Sequence, residues 1–171
     1  MIAAFRCKAP TIDPSAYLVE SAIVIGDVTI GPEASLWFHA VVRGDVCPIR
    51  IGARTNIQDN ATVHVTTDRF STTIGDDVTV GHGAVIHGAT IGSRTLVGMG
   101  AIVLDGAEVG AECLIGAGAV VTPGTHITRC HLVLGSPAKA VRPLTDDERA
   151  ALLGSAERYV RVATEYRTAG L

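Results

Sequence analysis

From Ile91 the chain divides into six consecutive blocks of six residues: IGSRTL, VGMGAI, VLDGAE, VGAECL, IGAGAV and VTPGTH. Each block opens on Ile or Val. The fifth residue is usually small, as in Thr95, Ala101, Ala107, Cys113, Ala119 and Thr125. Three blocks make an 18-residue unit, and such units start at Ile12, Ile30, Ile51, Ile74, Ile91, Val109 and Ile127. The steps between them are 18, 21, 23, 17, 18 and 18 residues. The two long steps mark insertions near residues 46–50 and 66–73, and the short one marks a deletion near 88–90. A fixed period of this kind signals a solenoid, in which one unit cannot bury its apolar face until a neighbour stacks on it. A doubly wound sheet would need helical crossovers between its strands, and the repeat leaves no room for them.

The expected unit is a triangular coil of three short strands and three corners, stacked on its neighbours about 4.8 Å apart. The branched residue and the small fifth residue point inward, and glycine serves the corners where positive φ or close approach is needed. A narrow prism explains the composition. Apolar residues make up 47% of the 171 residues, yet only 4% are aromatic, and mean hydropathy is +0.35. No apolar run approaches the roughly 18 residues of a membrane span. The net charge of −3 gives no support to nucleic-acid binding. Met1–Lys8 carries no long apolar stretch of the signal-peptide type. Cys7, Cys47, Cys113 and Cys130 are scattered without paired spacing. Together these features predict a cytoplasmic protein with reduced thiols, in which Cys113 is a core residue.

The pattern changes towards the C-terminus. Residues 1–138 read as the β-helix and 139–171 as a linker and helix. The second segment holds 11 of the 31 charged residues. Pro143 closes the coil segment, and Thr145 stands at capping-box distance from Glu148. Leu152, Leu153, Ala156, Tyr159, Val160, Ala163 and Tyr166 recur at helical spacing. This predicts a helix from about Asp146 to Thr168, packed along a prism face of its own chain or of a neighbour.

The repeat also places the histidines. His64 and His87 each lie 13 residues after a unit start, so they stack on adjacent coils above Arg43, which starts the same column. They face outward and can share a metal ion through nitrogen bonds of about 2.0–2.1 Å. His82 lies 8 residues after its unit start, above Asp59 and next to Gln58. Five residues of extended chain separate it from His87 by roughly 16 Å, across a corner. His82 is therefore expected to meet the His64 and His87 of another chain, giving a trimer with a metal site between subunits. His39, His126 and His131 fit neither column and read as structural or surface residues.

The segments VVRGDVCPIRIGARTNIQDNATVH and TIGDDVTVGHGAVIHGATIGSRTLVGMGAIVLDGA, with LGSPAKAVRPL near the end, resemble γ-class carbonic anhydrases and their relatives. The resemblance covers nearly the whole chain. It implies an all-β solenoid, a left-handed parallel β-helix with a C-terminal α-helix, assembled as a homotrimer. It implies His64, His82 and His87 as metal ligands, with Zn2+ as the metal and Fe2+ or Co2+ as alternatives. Gln58 would orient water or bicarbonate and Asp59 would support it. Arg43 and Asp45 would pair near the interface, and Tyr159 would border the pocket. The implied reaction is reversible hydration of CO2 to bicarbonate by a metal-bound hydroxide.

Three positions depart from the family pattern. Val46 stands where an active prototype has a Glu. The segment Thr66–Thr73 carries only Asp68 in place of an acidic loop. Arg158 precedes the helix tyrosine where some relatives have Asn. These losses remove the usual proton-shuttle carboxylates and point to a slow or inactive enzyme. They keep open a thioesterase or acyl-CoA enzyme on the same metal site and a non-catalytic metal-binding or assembly protein. A metal-free acyltransferase fits three metal-spaced histidines poorly.

Overall fold

A computed structural model describes residues 1–171. It is a parallel β-solenoid of stacked triangular coils, closed by one C-terminal helix. The unit starts stack in register along one face. Ile12 pairs with Ile30, Ile30 with Ile51, Ile51 with Ile74, Ile74 with Ile91, Ile91 with Val109 and Val109 with Ile127. Ile, Val and Ala from successive coils fill the interior as one continuous core, and Cys113 lies within it. Ile115 is fully buried in that core. Ile115→Ala should lower stability by about 2–5 kcal/mol, because the neighbouring coils cannot close over the void. Denaturant unfolding of the two proteins checks this.

The three prism faces differ in what their outward side chains offer. The first carries the unit starts, and its outward column, Arg50, Thr73, Thr90, Glu108 and His126, is polar and exposed. The second face includes strands Tyr17–Leu18, Ser35–Leu36, Asn56–Ile57 and Thr79–Val80. The helix lies across it. The third face bears an outward column of Ile23, Val41, Thr62, Val85, Ile102 and Val120. These are half-buried, largely apolar and uncovered within the chain.

Both insertions fall on the edge between the third face and the first. Gly26 pairs with Gly44, but Val28 pairs with Ile49, so residues 45–48 bulge from the continuous strand Val41–Ile51. The second insertion lies between strands Thr62–His64 and Thr72–Ile74, where Thr66 and Phe70 bridge to each other.

Glycine takes positive φ at many corners, among them Gly83, Gly100, Gly106, Gly118 and Gly124, but one edge is built without it. At the corner after each unit start from Ile30 onward the left-handed residues are Glu33, Arg54, Asp77, Arg94, Glu112 and Cys130. Each N–H of Arg54, Asp77, Arg94, Glu112 and Cys130 is taken by a carbonyl of the coil below. Their side chains pair up the edge. Arg54 bonds Asp77 at 2.6 and 2.8 Å, and Arg94 bonds Glu112 at 2.9 Å. These ladder contacts offset the strain of positive φ in a non-glycine residue. On this edge glycine is required for close approach. A Cβ on Gly92 would lie 2.4 Å from the Ala111 nitrogen of the next coil.

The helix spans Asp146–Ala169 and carries the expected capping box between Thr145 and Glu148. Residues 139–143, expected as linker, instead belong to a strand, Ala138–Pro143, antiparallel to His131–Gly135. The helix packs on its own chain. Its buried face is Leu152, Ser155, Ala156 and Ala163, with Tyr159 and Tyr166 at the margin. Leu153, expected on that face, is half-exposed. Its place is taken by Ser155, whose hydroxyl accepts from Thr79 at 3.2 Å. Tyr159 and Tyr166 meet the Trp37 ring edge-on, with centroids 5.4 and 5.2 Å away. Tyr17 donates to the Leu171 carbonyl at 2.9 Å. The Arg142 guanidinium, with the Thr145 N–H, holds the Glu148 carboxyl down to about 2. A lowered folded-state value means this support is complete above the unfolded value near 4.5 and is lost as pH falls towards 2. Helical circular dichroism should therefore weaken across that window. Glu148→Gln should start from a less stable helix and lack that component of the pH dependence.

Candidate metal centre

His64 and His87 end the paired strands Thr62–His64 and Val85–His87, directly opposite each other in register. The strand alternation that buries Val63 and Ile86 turns both imidazoles outward on the third face. Their rings lie 5.0 Å apart, and His64 Nδ1 is 3.0 Å from His87 Nε2. Each outer nitrogen meets a carboxylate. His64 Nε2 is 3.1 Å from Asp45 Oδ1, and His87 Nδ1 is 2.6 Å from Asp105 Oδ1. Arg43, one coil below, forms an ion pair with Asp45.

Burial pushes the His64 imidazolium towards deprotonation. The Asp45 hydrogen bond opposes this, Arg43 reinforces it, and the net shift is downward. Burial acts to raise the Asp45 carboxyl, but bonds from His64 and Arg43 outweigh it and hold it low. Asp105 is likewise held low: bonds from Thr66 and His87 overcome its desolvation. The His64 imidazole is thus biased towards its neutral form beside the Asp45 carboxylate, and the Asp105 carboxylate stands behind His87. When both carboxylates accept a ring N–H, the two nitrogens facing each other both carry lone pairs. That arrangement is poor without a cation and suited to one. Two nitrogens of a tetrahedral ion at about 2.0–2.1 Å stand only a little farther apart than these. The donor set therefore fits a divalent metal, with carboxylates behind the ligands in the usual supporting position.

His82 is not part of this pair. It sits at the edge between the second and third faces, with Nδ1 2.6 Å from Asp59 Oδ2. Asp59 also accepts from the Phe38 N–H at 3.2 Å. No group of three His, Cys, Asp or Glu side chains within one chain is placed to hold a metal. A groove of about 370 Å3 beside His82 is lined by Gln58, Met99, Leu114, Arg158 and Tyr159, among others. Gln58 is buried, and its amide donates to Asn56 at 3.1 Å. Burial first, and the Asp59 charge second, push the Tyr159 phenol up. A second hollow, about 340 Å3, opens beside Asp45 and is lined by Arg6, Lys8, Asp27, Val46, Cys47 and Asp68 among others. A further hollow, about 680 Å3 near Val19, Phe38 and Leu171, touches none of these three histidines.

Each residue singled out from the sequence thus falls in one of two clusters. Arg43, Asp45, His64 and His87 form the first. Gln58, Asp59, His82 and Tyr159 form the second. His39 lies at an exposed left-handed corner, His126 pairs with Glu108 at 3.2 Å, and His131 bonds the Arg129 carbonyl at 2.8 Å. Asp105 and Thr66 belong to the first cluster and were not singled out.

Two repeat-family models match the chain, "Bacterial transferase hexapeptide (six repeats)" over 88–123 and "Hexapeptide repeat of succinyl-transferase" over 48–87. A protein named "Carbonic anhydrase" from Geobacillus kaustophilus is 44% identical over 98% of this chain and 91% of its own. "Gamma carbonic anhydrase 1, mitochondrial" from Arabidopsis thaliana is 45% identical over 91% of this chain and 58% of its own. The chain belongs to the γ-carbonic anhydrase-like hexapeptide-repeat family. Names within this family differ. "Protein YrdA" from Escherichia coli is 49% identical over 97% of this chain and 94% of its own. The structure of a "putative acetyltransferase" from Bacillus cereus superposes with TM-score 0.95 at 40% identity, covering 98% of this chain and 96% of that one.

Proposed function

We propose that this γ-carbonic anhydrase-like chain is a metal-dependent enzyme that hydrates CO2 reversibly, working as a homotrimer in a reducing, cytoplasmic setting. One observation carries the reading: two imidazoles face each other across 3.0 Å with both outer nitrogens on carboxylates, while the third histidine lies on another edge of the same chain. The apolar column of the third face runs beside His64 and His87 and supplies a surface for a second copy. The His82 edge of that copy would complete the ligand set. The four free cysteines accord with a reducing compartment, and no helix is long and apolar enough to cross a membrane.

His64, His87 and a neighbour's His82 would hold a zinc ion, which when bound would supply Lewis acidity and lower the pKa of water to near 7; iron(II) or cobalt(II) would suit the same donors. Asp45, braced by Arg43, and Asp59 orient the imidazoles of His64 and His82. Gln58, fixed by Asn56, faces the groove where it can orient water or bicarbonate, and Tyr159 closes that groove from the helix. Val46 brings no carboxylate to the hollow that Asp45 and Asp68 border, so the prototype's glutamate is missing from proton export and turnover is slow.

The test is metal analysis of protein purified without oxygen, followed by stopped-flow CO2 hydration and an acyl-CoA thioester assay. CO2 hydration with bound metal supports the proposal. Thioester hydrolysis without CO2 hydration assigns the same site to acyl chemistry, and metal without either activity leaves a binding or assembly protein.

A further inference from the structure

Asp105 lies outside the histidine columns yet touches one of the histidines directly. It follows strand Ile102–Val103, which stacks on Val85–His87. Its Oδ1 is 2.6 Å from His87 Nδ1, and its Oδ2 accepts from the Thr66 hydroxyl at 2.7 Å. Thr66 belongs to the second insertion, which closes on itself through Thr66 N–H to Phe70 carbonyl at 3.0 Å and Phe70 N–H to Thr66 carbonyl at 3.2 Å. The Phe70 ring lies over Gly106, where an added Cβ would come within 3.0 Å of it. The Gly106 N–H donates to the Gly88 carbonyl at 2.7 Å, and the Gly88 N–H to the His64 carbonyl at 3.1 Å. The Thr72 hydroxyl donates to that same carbonyl at 2.6 Å. The insertion is thus fastened to the backbone of one histidine and, through Asp105, to the ring of the other.

An imidazole that donates Nδ1–H to a carboxylate is fixed in the tautomer that leaves Nε2 with its lone pair. In His87 that Nε2 is the nitrogen facing His64. We propose that Asp105 is a positioning residue for metal binding, holding His87 in the Nδ1–H tautomer, and that the Thr66–Phe70 insertion holds Asp105 in place. The proposal rests on the reading of His64, His82 and His87 as metal ligands.

The test titrates the full-length protein with Zn2+ alone against a chromophoric chelator. In parallel it reads the His87 tautomer by nitrogen NMR on metal-free protein at about pH 8, where imidazoles are neutral. Asp105→Asn should weaken zinc binding about 10–100-fold and shift His87 from the Nδ1–H form. Thr66→Val removes only the support on Oδ2 and should weaken zinc by a smaller factor. Asp105→Glu, which keeps a carboxylate, should recover part of the loss. Zinc affinity of Asp105→Asn within about twofold of a zinc-binding wild type, or His87 in the Nε2–H form in wild type, would overturn the proposal. A wild-type chain without zinc affinity would instead overturn the metal reading, and this proposal with it.

Discussion

His64→Ala should leave a folded solenoid that has lost its metal and roughly 10³-fold or more of its CO2 hydration, about 4 kcal/mol of transition-state stabilisation. The reason is geometric. Within one chain only His64 and His87 meet. Removing either leaves too few nitrogens to compete with solvent for a divalent ion. The fold should tolerate the change because the side chain points outward, whereas its neighbours Val63 and Val65 form the core. Metal content by elemental analysis, stopped-flow rates and the thermal midpoint of the metal-free proteins together check the outcome. Unchanged metal content with unchanged activity would place the metal elsewhere.

Ile102→Asp should separate the subunits and strip the metal without unfolding the chain. Ile102 sits in the outward column of the third face, between Val85 and Val120, next to the coil that carries His87. In a single chain it is half-buried and its side chain can reach water. In a trimer packed on this face, a carboxylate there must be desolvated without a partner. That costs on the order of 3 kcal/mol per interface, at least a hundredfold in association. Sedimentation should show monomers, and metal affinity should fall in step with the loss of His82 from the neighbouring copy. A trimer that survives Ile102→Asp would move the contact to another face. Thr73→Asp on the polar first face is the matched control and should do neither.

Much of the fold is legible in the sequence because a narrow prism admits few solutions. Every unit start from Ile12 to Ile127 pairs with the next, including across the steps of 21, 23 and 17 residues. The stacking of His87 on His64 follows from that register. What the repeat could not show lies at the corners, where chain direction and side-chain reach decide. Asp105 is one residue past the histidine column, and only the turn at that edge aims it back at His87. Thr66 is in an insertion, where the period gives no coordinates at all. The left-handed corners of Arg54, Asp77, Arg94 and Glu112 were hidden because charged residues there look like ordinary surface. Their spacing on successive coils, with alternating sign, was the available signal. The helix partner was also open, since an amphipathic stripe does not say whose face it covers. The aromatic contacts of Trp37 with Tyr159 and Tyr166 place it on its own chain.

Mixing two inactive variants tests the shared site most directly. His64→Ala and His82→Ala should each be inactive alone, since every interface lacks one ligand. Co-refolded in equal amounts, they should recover about a quarter of wild-type metal and CO2 hydration, because about one interface in four then combines an intact His64–His87 pair with an intact His82. No recovery of metal or activity in demonstrably mixed trimers would contradict a site built from two chains.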